Sequence, residues 1–298
     1  MDFQNIIDKY KYPEDFIPFL KKVYGSLIQF LGKDNESLVY QVFLNTTFVF
    51  NQNVYSVLSD HDMLDVNDIV GEKELKRASG VYEAKPIIQF DGSKFYVKDV
   101  QRLIVIANFS LDKPYTIATF IHELGHAIKA YHKEFSIEGD ILIRRSGLID
   151  ERYQLNYVNG KVMQTLISKR NTGIEEGLNT LFEEKVMQQY FDPNYESKAY
   201  NGVLFMANIL CDRFSLFDSF LNAEIYKDSQ ALIDFLGEAN YDELIYLFER
   251  VYKLDLKRYD CLGNLDELKK VSEERNHIAH DEFLLLYNKI KMDRNRGL

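Results

Sequence analysis

The chain has 298 residues, 46 of them acidic against 36 Lys and Arg, with six His, two Cys and no Trp, and 46% of it is hydrophobic. That is a globular composition, and the net charge of −10 excludes the basic footprint of a nucleic-acid binder. The opening residues carry neither a cationic run nor the apolar core of a signal peptide, and no stretch approaches the roughly 18 apolar residues of a membrane span, so a cytoplasmic protein that makes no membrane contact is expected.

In chain order, residues 14–31 place Phe16, Phe19, Leu20, Val23, Leu27, Phe30 and Leu31 at helical spacing, and Gly32 follows as a stop signal. From Leu38 to Leu58 apolar residues are dense but their period is ambiguous, and the polar stretch Val70–Gly80 reads as a connection. The clear β signal comes next: Pro86–Phe90, an Asp91-Gly92 turn, Lys94–Val97, then Arg102–Ala107. From Pro114 the period turns helical, with Ile117, Phe120, Ile121, Leu124, Ile128 and Tyr131 on one stripe. Another helix is expected from about Gly173 to Tyr190, and beyond Asp192-Pro193 nearly everything reads as helix. Helices, then a small sheet, then helices make an α+β fold, divided as a mainly helical 1–79, a core over 80–191 and a helical lobe over 192–298.

The Pro114 helix contains His122-Glu123-Leu124-Gly125-His126. Histidines at i and i+4 share one helical face, so both imidazoles reach one Zn²⁺, and Glu123, turned about 100° away, is placed to take a proton from water. Cys211 and Cys261 show no CxxC spacing, which excludes a thiolate site and leaves His and carboxylates as ligands. A catalytic zinc takes three protein ligands, so a third is required.

A strand followed by an HExxH helix resembles the zincin metallopeptidases, over roughly residues 86–190. The resemblance implies a small mixed sheet with Arg102–Ala107 as the edge strand above a cleft, Zn²⁺ as cofactor and a peptide or protein as substrate. Two third ligands are open. His132 completes the metzincin spacing HExxHxxxxxH, but Lys129 stands where a turn-forming Gly is usual, and a continuing helix turns His132 about 240° from His126. Glu176-Gly177 through Glu183 is similar to the NEGxxxxxE of aminopeptidase-like gluzincins, which makes Glu176 the ligand expected here. Its neighbour Glu175 is expected to close a capping box on Thr172, Gly177 to let the two metal helices approach, and Thr180 and Glu183 to support the ligands.

The same resemblance implies a transition-state donor from further along the chain, with Tyr200 as candidate and His277 and His280 behind it. Mn²⁺, Co²⁺ or Ni²⁺ would suit the same ligands. A zincin-fold protein that binds a partner without cleaving it is the rival from another class. Between the metal helices, residues 133–170 carry Arg144, Arg145, Arg152, Lys161, Lys169 and Arg170, expected near the cleft and favouring acidic substrates. Asp60-His61-Asp62 reads as surface.

Overall fold

The computed structural model describes residues 2–10, 12–63, 75 and 77–295, so most of the expected 70–80 connection lies outside the described residues. The fold is α+β. Helices α1 (Gln4–Tyr10), α2 (Ile17–Leu31) and α3 (Glu36–Asn45) precede strand β1 (Thr47–Phe50) and helix α4 (Val54–Asp60). The ambiguous 38–58 stretch therefore splits into helix, strand and helix. Strands β2 (Gly80–Phe90) and β3 (Phe95–Ile106) form one long antiparallel hairpin around the Asp91-Gly92 turn.

β1 adds in parallel to the end of β3, Thr47 opposite Leu103 through Phe50 opposite Ile106, so the sheet runs β1-β3-β2 and is mixed. This corrects one expectation. Arg102–Ile106 lies in the central strand, because the short β1 covers its outer side, and β2 is left as an edge.

Helix α5 (Pro114–Tyr131) follows, with Pro114 in its first turn. Thr116 fixes its entry by donating its hydroxyl to Ser110 O at 2.6 Å and accepting from Ser110 N at 3.1 Å. One side of α5 packs through Phe120, whose ring centroid lies 5.8 Å from Phe19, 5.2 Å from Phe48 and 5.3 Å from Phe50. Helical periodicity puts His122 about 160° round from Phe120, so anchoring the aromatic side fixes where the histidines point.

The 133–170 segment, between α5 and the next long helix, is a second sheet. Its strands β4 (Phe135–Glu138), β5 (Ile141–Ser146), β6 (Ile149–Val158) and β7 (Lys161–Arg170) are hydrogen-bonded in that order. Helix α6 (Thr172–Tyr190) leads on to α7 (Asn201–Phe214), α8 (Phe217–Tyr226), α9 (Gln230–Leu236), α10 (Glu238–Asp260), α11 (Leu265–Asn276) and α12 (Phe283–Asn295), with a π-helical turn at His277–Glu282. Among the described residues no helix is long and apolar enough to cross a membrane.

Two compact units result, one of Met1–Arg144, Glu151–Ser168 and Glu183–Glu196, the other of Arg145–Asp150, Lys169–Phe182 and Ser197–Leu298. The first holds a buried ionic cluster: Arg102 pairs with Glu134 at 3.0 Å, Arg144 with Glu83 at 3.0 Å and with Glu151 at 3.5 Å. Tyr82 and Tyr153 donate their hydroxyls to Glu134 and Glu151, each at 3.1 Å. Burial pulls the Arg144 guanidinium down, but Glu83, Glu151 and Glu134 outweigh it and hold its pKa well above the ordinary value. The second unit has its own apolar core, built around Leu178, Val203, Leu210, Leu244, Phe248 and Phe283.

Candidate metal centre

On α5 the motif residues His122, Glu123 and His126 are only 7%, 8% and 9% exposed. The stem of Glu123 runs over Gly80 at the start of β2: a Cβ on Gly80 would stand 3.2 Å from Glu123 Cγ and 2.6 Å from Thr119 Cγ2. Glycine is needed there so that strand and helix can approach this closely. The β2 edge therefore begins beside Glu123.

The two imidazoles converge. His122 Nε2 lies 3.2 Å from His126 Nε2. Two nitrogens bound to one tetrahedral zinc at about 2.05 Å stand about 3.3 Å apart, so the two rings could share one ion without moving. The other nitrogen of His122, Nδ1, lies 3.1 Å from Glu183 Oε2, and both side chains are buried. With Nδ1–H donated to the carboxylate, the neutral ring presents its lone pair at Nε2, the tautomer that metal ligation requires.

Glu183 is held in turn. Tyr195 donates its hydroxyl to Glu183 Oε1 at 2.6 Å. The expected contact of Glu183 with a histidine of the motif is present, while Tyr195, in a loop after a helix, carries no sequence motif that would single it out. Thr180 does something else: its hydroxyl donates to Glu176 O at 2.7 Å, a bond within its own helix.

Glu176 lies seven residues before Glu183, two helical turns earlier on the same face of α6. His122, His126 and Glu176 each offer one ligand atom, and these atoms all lie within 4.8 Å of one another. His132 is not in this group: α5 ends at Tyr131, and His132 adopts an extended backbone. The helix stops there rather than carrying His132 round its far side.

Glu175 makes a structural contact that the Thr-x-x-Glu pattern does not foreshadow. It is fully buried, and its carboxylate accepts from Leu148 N at 2.8 Å, in the turn between β5 and β6. Gly147 in that turn has φ +60°, and the Glu175 carboxylate fills the space a side chain there would need. Gly177 also differs from expectation: a Cβ there would meet Val203 O at 2.9 Å and the Phe248 ring at 3.0 Å, so it serves packing onto α7 and α10.

Tyr200 sits at the start of α7 in a left-handed conformation, φ +45°, with its ring 5.5 Å from Tyr252. His277 is exposed beside Asp281 at 2.8 Å, and the exposed His280 lies against Phe205. Asp62 is on the surface and pairs with Lys85 at 2.8 Å. Of the basic residues in 133–170, Arg144 is taken up in the buried cluster and Arg145 faces Asp150 at 3.6 Å, while Arg152, Lys161, Lys169 and Arg170 are exposed.

Among known proteins, no family model, no curated protein and no solved structure matches this chain.

Proposed function

We propose that the chain is a zinc-dependent peptidase of gluzincin type, with His122, His126 and Glu176 as metal ligands and Glu123 as general base. The observation that carries this reading is the meeting of the His122 and His126 Nε2 atoms at 3.2 Å, with a Glu176 carboxylate oxygen in the same group. Two neutral imidazoles and one carboxylate form a donor set that suits Zn²⁺ and leaves a position for a reactant. A zinc ion held there would supply a Lewis acid for a peptide carbonyl and lower the pKa of water.

The chain's own residues supply the rest. Glu123 takes the proton of the attacking water and delivers it to the leaving amine. Glu183 fixes the ring of His122, and Tyr195 fixes Glu183. A substrate main chain would run along the edge of β2, an end strand of its sheet among the described residues, which begins beside Glu123 at Gly80. Tyr200 remains the candidate for a donor to the tetrahedral intermediate. We also place the protein in the cytoplasm, a reading supported by Cys211 and Cys261, both buried and neither in a disulfide.

The test is digestion of a peptide library by the zinc-loaded protein, with and without chelator. Cleavage that the chelator abolishes supports the peptidase reading, and an intact library turns the site into a metal-binding one without hydrolysis.

A further inference from the structure

β7 is an end strand of the four-stranded sheet and, among the described residues, pairs with no further strand. It runs for ten residues, Lys161–Arg170, with no Pro and no Gly. Exposed edges of this length are normally blunted, because unpaired N–H and C=O groups invite another strand. Its two faces differ. Val162 and Leu166 pack with Leu142, Tyr153 and Leu155 over Ile88, Phe95 and Val97, whereas Met163 and Ile167 are 54% and 56% exposed. Alternation puts Lys161, Met163, Thr165, Ile167 and Lys169 on that outer face, an apolar centre with a cation at each end.

Charge points to the occupant. Residues 152–170 contain Arg152, Lys161, Lys169 and Arg170 and no Asp or Glu, so all 46 acidic residues of the chain lie elsewhere. A second copy, at net charge −10, would bring this strand's own cations against themselves in an edge-to-edge pairing. We propose that the outer edge of β7 docks an extended acidic segment of another protein by strand addition. Main-chain hydrogen bonds supply the pairing, apolar side chains of the guest cover Met163 and Ile167, and carboxylates at its two ends face Lys161 and Lys169. The proposal needs no metal and stands apart from the peptidase reading.

The test is fluorescence anisotropy of the full chain with a labelled peptide, Asp-Thr-Val-Thr-Ile-Thr-Val-Thr-Glu, in chelator so that the peptide stays whole. Saturable binding is expected, weakened by salt and by at least ~3-fold in Lys161→Glu, and lost in Met163→Lys/Ile167→Lys. The same peptide with Lys at both ends, or with Pro for its central Ile, should not bind. Absence of saturable binding, or equal binding of the acidic and basic peptides, overturns the proposal. So does sedimentation showing that the chain self-associates and that Ile167→Lys abolishes this, since the edge then belongs to a second copy.

Discussion

Glu183 Oε2 lies 3.1 Å from Nδ1 of His122, 61 positions away in sequence, and this contact selects the tautomer in which His122 Nε2 faces His126. A ligand imidazole held by a carboxylate is more basic and less free to rotate. Glu183→Ala should therefore weaken zinc binding about 10–100-fold without unfolding the protein. Tyr195→Phe removes one short charge-assisted bond to the same carboxylate and should weaken it less, by ~2–10-fold. Competition against a chromophoric chelator measures both, and equal loss in the two variants would show that Tyr195 acts through the fold instead.

Glu175 and Glu176 are neighbours with opposite expected phenotypes. Glu175→Ala leaves Leu148 N–H buried without its acceptor and should cost ~1–3 kcal/mol of stability while zinc stays bound. Glu176→Ala should lose zinc on dialysis against a mild chelator and keep its thermal midpoint in the metal-free state. Metal analysis and calorimetry separate the two, and zinc loss in Glu175→Ala would move the ligand by one residue.

This pair also shows what the sequence made legible. HExxH and the Glu176–Glu183 spacing are local periodicities on single helices, so they could be read without the fold. The role of Glu175 could not, because its partner Leu148 N comes from a turn 27 residues upstream. A Thr-x-x-Glu pattern looks the same whether its glutamate reaches back to Thr172 or out to another element. The second sheet, by contrast, carries a local signal. Asn159-Gly160, with φ values of +52° and +80°, turns the β6–β7 hairpin, and Tyr153, Leu155, Val162 and Leu166 alternate on either side of it. β1 was illegible for a physical reason: four residues, only one of them fully buried, are too few to show a period.

Arg144 sits among Glu83, Glu134 and Glu151 with its side chain 14% exposed. Arg144→Met keeps the volume but strands buried carboxylates, and should destabilise the protein by about 3–5 kcal/mol. A lowered midpoint in urea checks this. A midpoint unchanged from wild type would mean that the three carboxylates find other partners.

The hairpin turn carries a pH signature. The Ser93 hydroxyl and the backbone N–H groups of Lys94 and Ser93 hold Asp91 down at a pKa of about 2. A folded pKa below the unfolded value of about 3.9 means that its stabilisation is complete above pH ~4 and is lost as pH falls toward 2. Carboxyl chemical shifts of Asp91 followed over that range should titrate near 2. A midpoint near 4 would remove the turn's contribution.

The central claim is that Glu123 is the base of a zinc peptidase. The most direct measurement compares zinc content and peptide hydrolysis in wild type and Glu123→Gln. Because the amide keeps the shape of the side chain and leaves His122, His126 and Glu176 in place, zinc should stay near one per chain while hydrolysis falls by at least ~10²-fold. Hydrolysis at the wild-type rate in zinc-loaded Glu123→Gln would contradict the account.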